Sequence, residues 1–226
     1  MKILALDTST EFCSVALNVD SEISGKEILA GRNHSEMILA MTHEMLAEAG
    51  LALQQIDGIA FGAGPGSFTG LRIACGVAQG LAFAADLPVA AVGTLEAVAQ
   101  QIDQHNVIVA LDARMSEIYH AAFRKLTGQS WEMISPPVLC SPQHAPLVSG
   151  NEWHGCGSGF DVYHDVLAMQ YCANIQQIHP ELHPRAHEMA QLALPKFRDG
   201  AYTDAALAAP LYIRNKVALK ESERQT

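Results

Sequence analysis

The sequence predicts an α/β protein of two lobes, each built on a βββαβα unit. Three observations carry that prediction. An apolar run ending in Ala-Leu-Asp occurs at 3–7 and again at 107–112, with the two aspartates 105 residues apart. Strand-like and helical patterns alternate along the chain. The 226 residues, 49% of them apolar, suffice for one large domain or two small ones at about 100–200 residues each. The predicted division gives an N-terminal lobe over 1–104 and a less regular C-terminal lobe over 105–226.

The first lobe opens with ILALD (3–7), a near-continuous apolar run expected of a strand buried on both faces. Thr8, Ser9 and Thr10 form a polar turn, SVALNV (14–19) is the next strand, and a more polar third strand covers 27–30. Together these predict an antiparallel meander. NHSEMILAMTHEMLAEAG (33–50) predicts a helix, with Asn33 or Ser35 as N-cap and Gly50 as its stop. IDGIAF (56–61) is a strand, followed by a glycine-rich loop and a helix over 71–85. LPVAAVGT (87–94) and LEAVAQQ (95–101) are a strand and a short helix.

The chain then begins again. VIVALDARMSEIYHAAF (107–123) parallels ILALDTSTEFCSVAL (3–17), with an alanine nine residues after each aspartate: Ala16 after Asp7, Ala121 after Asp112. WEMISPPVL (131–139) predicts a strand ending at Pro136 and Pro137, SPQHAPLV a short helix or loop, and EWHGCGSGF (152–160) a strand running into glycines. RAHEMAQLALPKFRDG (185–200) is a helix between Pro184 and Gly200. The tail is expected to fray after Leu219. A βββαβα unit used twice is the pattern of the actin, sugar-kinase and Hsp70 ATPase superfamily. By that pattern Asp7 and Asp112 end the first strand of each lobe and flank a nucleotide cleft. Mg²⁺ binding and turn capping are both open to them.

Composition narrows the function. The net charge of −10 repels phosphates within a Debye length of about 8–10 Å, which disfavours a lone nucleic-acid binder. Five scattered cysteines without a CxxC pair indicate a reduced, cytoplasmic protein. Only five apolar residues precede Asp7, too few for a signal segment, and no apolar run reaches the ~20 residues of a membrane span. His179, His183 and His187 recur every four residues, but Pro180 and Pro184 break any helix there, so no metal site is expected.

The loop GAGPGSFTGLRI (62–73) is the most distinctive stretch. It is not a Walker A loop, because Leu71 and Arg72 follow Gly70 with no lysine. It misses the dinucleotide pattern, because Thr69 holds the third glycine's place, and the nucleophile elbow, because Gly66 directly precedes Ser67. Two readings remain. Ser67 or Thr69 caps the next helix, or Gly64, Gly66, Ser67 and Thr69 receive an anion at its N-terminus.

That next helix is apolar on every side except Arg72 and Gln79, which predicts burial all round. Gly76 and Gly80 share a face, each costing about 1 kcal/mol against alanine. Close approach of another backbone, from the protein's own sheet or a second chain, would explain them. On the helix before the loop, Met45, Ile38, Ala49, Thr42, Leu46 and Leu39 face the core. Met37 and Met41 widen the apolar arc to about 200°, beyond the ~100° a surface helix needs. An ordinary core stripe and a partner-binding face are both open. On the second reading the interface residues are Met37, Met41, Met45, Arg72, Gly76 and Gly80.

Four stretches together resemble the TsaB (YeaZ) family: ILALDTSTEFCSVAL (3–17), GAGPGSFTGLRIACGVAQGLA (62–82), LDARMSEIY (111–119) and PLYIRNKVA (210–218). The resemblance runs from Met1 to about Lys220, and GPGSFTGLRI is its most specific part. It implies a two-lobed actin-like fold and a shortened copy of the catalytic subunit TsaD. TsaD carries metal-binding histidines in an HxxxH helix, whereas RIACGVAQGLAF (72–83) here has none. The implied role is therefore a scaffold without metal or catalytic residues. Such a subunit pairs with TsaD through first-lobe helices, recruits the ATPase TsaE, and forms homodimers when alone. tRNA is reached only through the complex, and a nucleotide at the subunit boundary stays open. The competing expectation is a stand-alone ATPase or small-molecule kinase using Asp7 and Asp112. A protease is third, with no triad or HExxH to support it.

Overall fold

The computed structural model describes residues 1–20, 22–127 and 130–214, so the expected fraying after Leu219 and the end of the 210–218 motif lie outside the described residues. In the first lobe, β1 (Lys2–Asp7), β2 (Phe12–Val19) and β3 (Glu22–Leu29) form the expected antiparallel meander, with β3 longer than its polar sequence suggests. α1 (His34–Glu48), β4 (Gly58–Gly64), α2 (Phe68–Ala85), β5 (Val89–Gly93) and α3 (Thr94–Ala99) follow. β4 runs parallel to β1, and β5 parallel to β4, giving the order β3-β2-β1-β4-β5.

The second sheet repeats this plan. β6 (Asn106–Asp112), β7 (Ile118–Lys125) and β8 (Trp131–Cys140) are the antiparallel strands; β9 (Trp153–Cys156) and β10 (Ile175–His179) are parallel additions. Its order, β8-β7-β6-β9-β10, matches the first sheet strand for strand. The duplicated two-lobed α/β fold is thus present. The alanine coincidence is not part of it: Ala16 lies opposite Ala5, but Ala121 lies opposite Val109, because the second hairpin is one residue tighter.

Side-chain alternation builds the layers. On β1, Leu4 and Leu6 face α1 and α2, while Ile3 and Ala5 face α6 (Ala186–Arg198). The alanines Ala5, Ala16, Ala60 and Ala90 leave room for α6 to lie close to the sheet. On β6, Val107 and Val109 face α3, and Ile108 and Ala110 face α4 (Gly159–Val162) and α5 (His164–Gln170). α3 therefore packs on the second sheet and α6 on the first, so each crosses the line between residues 104 and 105.

Two expectations need correction, and one segment carries no expectation at all. β8 continues through Pro136 and Pro137 to Cys140, because it is an edge strand whose register shifts there and no ladder donor is needed. Residues 164–179, which carry no helical or alternating pattern, form α5 and β10. The α2 helix begins at Phe68 rather than residue 71. The stop at Gly50 is as expected: at φ 64° it lets the N–H groups of Gly50 and Leu51 bond to the carbonyls of Ala47 and Leu46.

Candidate functional site

The glycine-rich loop is a joint between β1 and α2. Ser67 Oγ accepts from Gly70 N–H at 3.3 Å, which makes Ser67, not Thr69, the cap. Ser67 N–H donates to Ser9 O at 2.8 Å. Thr8 Oγ1 donates to Gly70 O at 2.7 Å, and a side chain at Gly70 would collide with Thr8 O. A Cβ on Gly66 would lie 2.6 Å from Ser9 O. These glycines let the turn after β1 press against the start of α2. The donors at Ser67 and Gly70 are engaged within the chain, which favours the capping reading over anion binding.

A cleft of about 980 Å³ opens between the lobes. Asp112 lines it, but its oxygens are taken: Arg114 N–H and Tyr163 Oη donate to Oδ1 at 2.9 and 3.2 Å, and the Arg114 guanidinium lies 3.0 Å from Oδ2. Asp7 does not line the cleft. It is fully buried, Oδ2 accepts from Ser9 N–H and Oγ, and Oδ1 has no partner. Burial raises its pKa to about 7, against the lowering effect of the Ser9 hydrogen bonds and the His183 charge. The expected pair is therefore not assembled at the cleft surface: one carboxylate organises a turn and the other is buried behind it.

The histidines are dispersed. His179 ends β10 beside His154, His183 stacks on Phe12 at 3.9 Å and meets Glu27 at 3.1 Å, and His187 sits on α6. Among the described residues no three His, Cys, Asp or Glu side chains gather closely enough to hold a metal.

The helical face departs from the burial expected all round α2 and leaves the partner-facing reading open. α2 is long and apolar enough by length and composition alone to cross a membrane, yet it is not enclosed. It buries Gly70, Leu71, Ala74, Cys75, Ala78 and Ala82, and exposes the side carrying Arg72, Gly76, Gly80 and Phe83. Among the described residues a Cβ on Gly76 or Gly80 would meet nothing within 4 Å, so the protein's own sheet is not the close neighbour of these glycines. Phe83 is 83% exposed. Arg72 lies 3.8 Å over the Phe68 ring and donates to Tyr212 Oη at 2.9 Å.

On α1 the core-stripe reading holds for Met41 and Met45, which the partner-face reading would turn outward. Met41 and Met45 are buried in the first-lobe core, with 6% and 3% exposure, and Met37 is half-buried against it. The reason is β3, which covers that side: Lys26 reaches over to Glu44 and Glu48 at 3.1 and 2.6 Å. The open edge is the other one, where Leu39 is 51% exposed beside Ala40 and His43. Between the helices, Leu39, His43, Leu46, Leu51 and Leu81 line a groove of about 380 Å³. Phe83 and Leu39 were missed, although Phe83 falls seven residues after Gly76, on the same helical face.

Duplicated sheets, an interlobe cleft and an uncovered apolar helix pair define the class: a two-lobed actin-like α/β protein with an open helical face. The family model described as "TsaD: tRNA N6-adenosine threonylcarbamoyltransferase" matches residues 27–221. The tRNA threonylcarbamoyladenosine biosynthesis protein TsaB of Haemophilus influenzae is 38% identical, over 98% of this chain and 97% of its own. Its Escherichia coli counterpart is 37% identical over 98% of each chain. Two Pseudomonas aeruginosa structures are each 35% identical: a protein described as similar to peptidase YeaZ, and YeaZ itself. Their TM-scores are 0.88 and 0.82, over 94% and 93% of this chain and 99% of theirs. The chain belongs to the TsaB (YeaZ) family.

Proposed function

We propose that this chain is a non-catalytic subunit of the machinery that installs threonylcarbamoyladenosine in tRNA. It acts by presenting the open α1–α2 face to the threonylcarbamoyltransferase subunit TsaD. The observation that carries this reading is the bare stripe of Gly76, Gly80 and Phe83 on α2, together with the exposed Leu39 in the groove that Leu81 shares. Glycines at helix positions with no neighbour among the described residues are unfavourable in a lone chain, and a second helix lying close against them supplies the reason for them. An exposed phenylalanine beside bare glycines on a helix is the kind of side chain that anchors an interface.

On this reading TsaD holds the reactive groups and transfers threonylcarbamoyl from threonylcarbamoyl-AMP to adenosine 37 of tRNA, in the cytoplasm. This chain stabilises the competent assembly, to which the ATPase TsaE is recruited. The charge of −10 fits a subunit that meets tRNA only through the complex. In the absence of TsaD, the same apolar face pairs with a second copy. The burial of Asp7 supports this reading over a stand-alone ATPase or kinase, which would need that carboxylate at the cleft surface.

The test is reconstitution. TsaD, TsaE, ATP and a source of threonylcarbamoyl-AMP are incubated with tRNA, with and without this chain. Modified adenosine is expected only when the chain is present, and Phe83→Asp is expected to remove its effect. Modification by this chain without TsaD would refute the proposal.

A further inference from the structure

The LDARMSEIY stretch and residues 210–214 of the PLYIRNKVA stretch meet in space. The meeting point is Arg214. Its Nη2 donates to Ala113 O at 2.8 Å and lies 2.9 Å from Glu117 Oε2, and its Nη1 lies 3.1 Å from Met115 Sδ. All these groups belong to the turn joining β6 to β7. That turn holds three successive non-glycine residues in left-handed backbone: Arg114, Met115 and Ser116 at φ 61°, 57° and 58°. L-residues avoid this region, so something must hold the turn there.

The segment carrying Arg214 is anchored at its other end to the first lobe. Gln79 Nε2 donates to Ala208 O at 3.0 Å, Leu211 N–H to Ala63 O at 2.7 Å, and Arg72 Nε to Tyr212 Oη at 2.9 Å. Ile213 then packs on the second-lobe core. Residues 211–214 and the turn at 113–115 both line the interlobe cleft.

We propose that residues 208–214 form a latch that ties the lobes together across the mouth of the cleft, with Arg214 as its releasable tooth. The geometry favours two discrete states over gradual loosening. Among the described residues every second-lobe polar contact of Arg214 goes to one strained turn, so release frees the arginine and lets the backbone of 114–116 relax. Held, the charge-assisted fork on Ala113 O and Glu117 fixes both the turn and the width of the cleft.

Residue-resolved hydrogen exchange on the full chain tests this. In Arg214→Ala, protection of the bonded amides of Ala113, Glu117 and Leu211 is expected to fall by about tenfold or more, while amides of β4 and β6 keep theirs. Glu117→Gln, which keeps the side-chain shape, is expected to give a smaller loss at the same three amides. Spin labels on Cys172 and on an introduced Glu36→Cys, both at exposed positions in opposite lobes, should report one narrow distance with Arg214 and a broader, longer distribution in Arg214→Ala. Unchanged turn protection in both variants, an equal loss throughout β4 and β6, or an unchanged distance distribution would each overturn the latch.

Discussion

The carboxylate of Asp7 occupies the space that a side chain at Gly62 would need: a Cβ there would collide with Oδ1 and lie 2.8 Å from Met189 Cε. The absent side chain in β4 is thus the condition for a buried acid at the end of β1. Gly62→Ala should destabilise the fold by about 1–3 kcal/mol, as overpacking does in rigid cores, read as a lower urea midpoint with an unchanged slope.

The same carboxylate sets an unusual pH dependence. With its pKa raised from 3.8 to about 7, Asp7 keeps its proton in the folded state after the unfolded chain has lost it. Its contribution is intact below pH 4 and is lost as pH rises to 7. His120 acts oppositely: burial lowers its pKa from 6.5 to about 4, so its contribution is intact above 6.5 and lost as pH falls to 4. Between pH 4 and 6.5 the two slopes oppose. Asp7→Asn should unmask the histidine slope, about 1.4 kcal/mol per pH unit, and stabilise the protein at pH 8 by on the order of 2–4 kcal/mol. Thermal unfolding of both proteins at pH 5 and 8 measures this.

His120 owes its neutral state to a closed site. Tyr171 Oη is 2.7 Å from Pro146 O and 2.9 Å from His120 Nε2. With the single hydroxyl proton donated to Pro146 O, His120 donates from Nε2. Tyr171→Phe removes the partner of the fully buried His120 Nε2 and the half-buried Pro146 O and should cost about 1–3 kcal/mol in chemical denaturation. His120→Phe in that background should recover part of the loss, since both partners are then apolar.

On α2, substitution size separates stability from binding. Gly76→Ala meets no atom within 4 Å, so it should stabilise the isolated chain by about 1 kcal/mol through helix propensity. Gly76→Leu should fold equally well and fail to pair, because its bulk fills the space a partner helix needs. Comparing melting temperature with affinity for TsaD separates the two effects.

Much of this fold was legible because its patterns are periodic. The apolar run ending at Asp7, the stop at Gly50 and the repeat at Asp112 each follow from local chemistry. The cap at Ser67 was one of two local options, and the bond to Gly70 N–H selects it. What stayed hidden depends on which element covers which side. Helical arithmetic places Met41 and Leu39 on opposite flanks of one arc, but only the position of β3, with Lys26 over Glu44 and Glu48, decides that Met41 is buried and Leu39 open. For Asp7 the sequence leaves Mg²⁺ binding and turn capping open, and the Ser9 hydrogen bonds select capping. Its burial depends on Gly62, whose missing side chain matters only once β1 and β4 are paired. Edge strands such as β8 escape pattern reading, because exposure on one edge removes the penalty for Pro136 and Pro137.

The most direct test of the central claim is the native mass of this chain mixed with TsaD, measured with and without Phe83→Asp. A defined complex is predicted for the parent chain and separated subunits for the variant, with the melting temperature of the isolated chain unchanged because Phe83 is solvent-exposed. A complex of the same mass and affinity formed by the Phe83→Asp variant would contradict that claim.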